Sequence, residues 1–161
     1  MKYRLDFVTN SSSSFFIVAY KNANDMVKDI SQFVRNYEDD EWSHQYKDVV
    51  YDIFKRKITY TEALIRFTNE AKYKALVELQ YGQKYAENRS RYTDNTAWVN
   101  SIEFKQLHKN LVNKSVEMFK NSVNPRGYFA YLEYRDSDGY YDVGAELQNM
   151  LSGVVLKIDD H

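Results

Sequence analysis

The chain carries four groups of residues whose types could do chemistry. The first is the serine run Ser11-Ser12-Ser13-Ser14, set between Asp6-Phe7-Val8-Thr9-Asn10 and Phe15. Adjacent hydroxyls can donate to an anion or accept a phosphoryl group. A phosphate-cradling loop, however, needs glycines for close backbone approach and a Lys followed by Ser or Thr. Neither stands between Thr9 and Phe15, and the glycine-flanked serine of a nucleophile elbow is absent too. The run reads as a polar turn.

The second group is acidic and C-terminal: Glu133, Asp136, Asp138, Glu146 and Asp159, with His161. Carboxylates with one imidazole suit Mg²⁺ or Mn²⁺, and such a centre could hydrolyse phosphodiesters. No H-E-x-x-H or EF-hand spacing fixes a ligand geometry, so the expectation is solvated charge, with no metal and no cofactor. His44 and His108 have no spaced partner and read as structural or surface histidines.

The third group is Tyr81, Tyr85, Arg89, Arg91, Tyr92 and Trp98, scattered among Asn, Ser and Thr. Arg, Tyr and Trp dominate the energetics of protein interfaces. The same mixture could stack bases and neutralise phosphates. The fourth group is Glu38-Asp39-Asp40-Glu41-Trp42, where four carboxylates beside a Trp could engage a basic groove on a nuclease by imitating phosphates. These last two groups are the expected partner-binding surfaces.

The opening Phe7-Val8-Thr9-Asn10-Ser11-Ser12-Ser13-Ser14-Phe15 resembles that of small, mostly uncharacterised bacterial and phage proteins beginning F-V-S-N-S-S-S-S-S-F. Here Thr replaces the first Ser and one serine is missing. Asp138-Gly139, Gly144-Ala145-Glu146 and His161 loosely echo the acidic, Gly-containing, His-terminated ends of that group. The resemblance implies a phage or mobile-element setting. It carries over no catalytic residue.

The elements that must position these groups follow from periodicity. Tyr3, Leu5 and Phe7 alternate with polar residues, and Phe15–Tyr20 is a β-rich run apolar at almost every position. That pattern predicts two strands around the serine turn, the second buried on both faces. Apolar residues recurring at three and four predict helices over 24–37 and from about Ser43 to Lys57. Thr59-Tyr60-Thr61-Glu62 matches a capping box opening a longer helix with Leu79 on its inner side. Residues 81–100 lose periodicity and read as a weakly structured stretch. Another helix starts near Ser101 and ends at Asn124-Pro125-Arg126-Gly127. Tyr128–Tyr134 and Val154–Ile158 read as strands, with Tyr140–Val143 expected to pair back on the first across an Asp136–Gly139 turn.

The predicted fold is α+β: a mixed or antiparallel sheet of about four or five strands drawn from both chain ends, packed against about four helices. With 161 residues and no linker or repeat, one domain over 1–161 is expected. The 22 basic and 23 acidic residues nearly cancel, which disfavours nucleic acid as the main partner. The chain has no cysteine, excluding disulfides and thiolate chemistry. No stretch reaches the length of a membrane span, so a cytoplasmic protein is expected. The function these readings favour is a phage-type interaction protein that binds and inhibits a host protein, such as a nuclease, in the manner of an anti-CRISPR. The alternatives are a divalent-metal phosphodiesterase and a small nucleic-acid-binding module.

Overall fold

A computed structural model describes residues 13–36, 51–135 and 151–159. In chain order the elements are β1 (Ser13–Tyr20), α1 (Ala23–Asn36), β2 (Lys57–Ile58), α2 (Tyr60–Tyr81), α3 (Ala86–Ser90), α4 (Asn95–Val99), α5 (Ile102–Ser122), β3 (Tyr128–Arg135) and β4 (Val154–Asp159). A 3₁₀ turn at Gln83–Tyr85 precedes α3, and residues 51–55 are helical. The fold is α+β, as its sequence pattern predicts. No helix among the described residues is long and apolar enough to cross a membrane.

The apolar run Phe15–Tyr20 forms the inner part of β1, and every one of its residues is buried. The sheet order is β2-β3-β1-β4 and all its pairings are antiparallel. β1 pairs with β3 from Ser13↔Arg135 to Tyr20↔Tyr128, and with β4 from Ser14↔Asp159 to Ala19↔Val154. Both faces of β1 are covered, not only its edges, which explains the unbroken apolar run. On one face Phe16, Val18 and Tyr20 pack with Met26, Ile30 and Phe33 of α1 and with Ile53, Leu132 and Val155. On the other, Phe15 stacks on Tyr131 at 5.7 Å and Phe129 meets Tyr60 at 5.6 Å.

Two expectations change here. Ser13 and Ser14, expected in a polar turn, instead open β1, paired with Arg135 and Tyr134; β1 also separates β3 from β4, so Glu133 and Asp159 stand on strands two apart. Lys57, expected to end a helix, instead enters the short strand β2, paired with Ala130. The strand expected at 2–8, the partner strand 140–143, and Asp136, Asp138, Glu146 and His161 lie outside the described residues. Among the described residues no group of three or more His, Cys, Asp or Glu could hold a metal ion.

The chain gathers into two compact units: a sheet unit, 1–63 with 122–161, and a helical unit, 64–121. The boundaries fall inside the continuous helices α2 and α5, so no linker composition marks them. Thr59 caps α2 as its sequence predicts, its hydroxyl accepting from the Glu62 N–H at 3.1 Å. At the start of β3, a side chain on Gly127 would run into the Tyr20 carbonyl oxygen, so only glycine fits.

Candidate functional site

Within the helical unit α2 and α5 run antiparallel. Leu79, near the end of α2, packs with Trp98 and with Phe104 at the start of α5. Ala71 and Ala75 pack on Val112, and Phe67 stacks on Phe119 at 4.6 Å. Small residues at the centre let the two backbones approach, while aromatics fill the ends.

The connection 82–101 is not the weakly structured stretch its lost periodicity suggests. It folds into the 3₁₀ turn, α3 and α4, pieces too short to display a helical repeat. Each piece is fixed by polar side chains acting locally. Asp94 caps α4 by accepting from the Ala97 N–H at 2.7 Å, and Ser101 caps α5 by accepting from the Phe104 N–H at 3.0 Å. Trp98 is the apolar anchor: it is 1% exposed, sits edge-on to Phe104 at 5.3 Å and tilted to Tyr92 at 5.2 Å. Its indole N–H donates to the Leu79 carbonyl at 2.9 Å.

Arg89 donates to the same Leu79 carbonyl at 3.1 Å and to that of Gly82 at 2.8 Å. The last carbonyls of α2 have no intrahelical partners, and a guanidinium satisfies two of them at once. Glu103, in the first turn of α5, gathers the other side of the connection. One of its oxygens accepts from Asn88 at 2.7 Å and from Arg91 at 2.5 Å; the other accepts from the Tyr92 hydroxyl at 2.8 Å. The Asn88 bond first, then that of Tyr92 and the charge of Arg91, hold the Glu103 carboxyl below its usual value.

The structure thus brings the third candidate group together but divides its tasks. Trp98, Tyr85 and Arg89 point inward and position the connection, Tyr85 being buried. Arg91 is exposed while bonded to Glu103, Tyr92 is half-buried, and Tyr81 is 70% exposed. Two residues that sequence reasoning missed complete the surface: Glu103 as its hub and Ile102 beside it, 86% exposed. A carboxylate in the first turn of a helix is an ordinary sequence feature, so nothing marked Glu103 in advance. Glu38, Asp39, Asp40, Glu41 and Trp42 lie outside the described residues.

Charge is segregated between the units. Residues 64–121 carry ten Lys and Arg against six Asp and Glu, and the rest of the chain carries twelve against seventeen. The near-neutral total therefore conceals an acidic sheet unit and a basic helical unit.

The sheet unit holds a cavity of about 530 Å³ between the end of β1, the start of α1 and the start of β4. At its side Asp29 accepts from the Tyr20 hydroxyl at 2.7 Å and from the Ser152 N–H at 2.8 Å. Burial, then the bond to Asp29 and its charge, raise the Tyr20 phenol far above its usual value, so it stays a donor. Asp29 thereby ties three segments together.

These observations define a class: an α+β protein joining an acidic antiparallel-sheet unit to a basic helical hairpin with a hydrogen-bonded cap. Compared with protein-family models, curated proteins and solved structures, the chain matches none.

Proposed function

We propose that this chain is a protein-binding module whose contact surface is the cap of the helical hairpin, centred on Tyr81, Arg91, Tyr92 and Ile102. The observation that supports this reading is the pre-organisation of that cap. Hydrogen bonds from Trp98, Arg89, Asn88, Arg91 and Tyr92 fix the backbone beneath exposed aromatic, basic and aliphatic groups. Ordering a surface before binding removes a large entropic cost of association, and Tyr and Arg are the side chains that anchor interfaces. The resemblance of the opening implies a phage or mobile-element setting, and within it the partner is a host protein, such as a nuclease inhibited in the anti-CRISPR manner.

The test separates surface from support. Immobilised wild-type protein is used to capture host proteins beside the double variant Tyr81→Ala with Arg91→Ala. Both side chains are exposed, and without Arg91 the Glu103 carboxylate keeps its bonds from Asn88 and Tyr92, so the variant keeps its fold by circular dichroism. A host protein retained by wild type and at least tenfold depleted on the variant supports the reading. Equal retention on both proteins, or none on either, sinks it.

A further inference from the structure

The hairpin has a second exposed surface, which meets the cap only at Ile102. Along α2, Ile65, Asn69 and Lys72 recur at four and three; along α5, Ile102, Lys105, Lys109 and Asn113 recur at three, four and four. All seven are exposed. Ala75 and Val112 mark the seam between the helices, and Lys72 and Lys109 each precede their seam residue by three positions. In an antiparallel pair, equal rotation from a shared seam places both side chains on the same side. The His108 ring nitrogen Nε2 lies 3.0 Å from the Lys72 carbonyl oxygen, tying the two helices together at this level. Tyr81 follows Lys72 by nine residues, two and a half turns, and so belongs to the opposite flank of α2.

This face is basic by construction. No carboxylate stands three or four residues from Lys72, Lys105 or Lys109, whereas Lys74 pairs with Glu70 at 3.3 Å and Arg91 with Glu103. Lysines with interleaved amides are the donors that phosphate and sugar oxygens accept. We infer that the Lys72–Lys105–Lys109 face binds the sugar-phosphate backbone of a nucleic-acid duplex without reading its sequence. Charge complementarity selects this occupant: around Lys72, Lys105 and Lys109 the face is positive and amide-bearing, and its nearest carboxylates along the two stripes, Glu62 and Glu117, stand beyond Ile65 and Asn113 at its margin. The stripes hold no aromatic residue, which removes the stacking platform that a single strand needs. Ile65 lies in the second turn of α2 and Ile102 opens the antiparallel α5, so they sit at opposite ends of the face, too far apart to form the continuous apolar patch of a membrane or protein seat.

The test measures fluorescence anisotropy of a labelled random-sequence 20-base-pair DNA duplex with the full chain, between 50 and 200 mM salt. Three lysine–phosphate contacts predict a log–log slope of about −2.7, or roughly a fortyfold loss of affinity across that range. Lys105→Glu with Lys109→Glu is expected to weaken binding at least tenfold at 50 mM salt. The milder Lys72→Gln with Lys105→Gln and Lys109→Gln flattens the slope and keeps the helices' own propensity, so it stands if the charge reversals unfold. Tyr81→Ala with Arg91→Ala leaves duplex affinity unchanged, which keeps this inference separate from the protein-binding reading. Three results overturn it: no binding at 50 mM salt, a single strand bound as tightly as duplex, or polyglutamate or phosphatidylserine vesicles bound more tightly through the same lysines.

Discussion

The sheet unit and the helical unit each use a carboxylate to gather donors, and they do so over very different stretches of chain. In the sheet unit Asp29 accepts from Tyr20, nine residues away, and from the Ser152 N–H, 123 residues away. In the helical unit Glu103 accepts from Asn88, Arg91 and Tyr92, all within fifteen residues. The first carboxylate joins segments that only the sheet register brings together. The second closes a local connection between consecutive helices. The sheet unit therefore depends on non-local pairing, while the helical unit depends on a few side chains acting over short loops, which cost little entropy to close.

That contrast can be broken most forcefully at Trp98. Trp98→Ala removes the anchor of the cap, its edge-on contact with Phe104 and its bond to the Leu79 carbonyl. A buried Trp truncated to Ala costs about 3–5 kcal/mol. If the cap is a local construction, amide exchange accelerates first across 82–101, while β1 keeps its protection. Hydrogen exchange read by mass spectrometry decides the matter. Uniform loss of protection in both units would show one cooperative unit and erase the distinction.

A smaller effect is expected in the sheet unit. Tyr20→Phe keeps the buried ring and deletes only the hydroxyl that donates to Asp29. Bonds to charged acceptors exceed the usual worth of a hydrogen bond. Asp29 is only half-buried, however, and keeps the Ser152 N–H, so about 1–2 kcal/mol is expected in urea unfolding. The raised phenol adds a sign. Its contribution is complete below the usual tyrosine value of 10.0 and is lost as pH climbs above it towards the folded value. The wild type should therefore lose stability on the alkaline side more steeply than Tyr20→Phe.

The same contrast explains how much was legible beforehand. Phe15–Tyr20 announced a buried strand because a strand covered on both faces must be apolar on both. Thr59 and Glu62 announced the start of α2 because a cap is written within four residues. Pairing partners were not legible: nothing local in Tyr128–Arg135 says that β1, more than a hundred residues away, is its neighbour. The candidate surface was half legible. Residue types pointed to Tyr81–Trp98, but which side chains turn inward depends on the Leu79 and Gly82 carbonyls, and backbone acceptors leave no trace in composition. The division of charge was hidden for a different reason. Summed over the chain it vanishes, and only the division at 63/64 and 121/122 exposes the excess of each part.

The most delicate test of the contrast lies at Glu103, where proton uptake should loosen one unit alone. Its carboxyl is held below the usual glutamate value of 4.5, first by the bond from Asn88, then by those from Tyr92 and the Arg91 charge. A carboxyl lowered on folding contributes fully above its unfolded value and loses that contribution as pH falls through the lowered folded value. Cap protection is therefore expected to hold at neutral pH and to decline as acid carries the solution below 4.5. The loss should be largest at Asn88 and Arg91, which share one oxygen. Glu103→Gln removes the titration, so its cap should be weaker at neutral pH and indifferent to mild acid. Nuclear magnetic resonance of the Asn88 side-chain amide follows the change directly. An Asn88 signal that stays unchanged after the Glu103 carboxyl carbon has itself titrated would mean that the bonds do not need the charge. In that case the cap is held by Trp98 and Arg89 alone, and packing rather than electrostatics closes the helical unit.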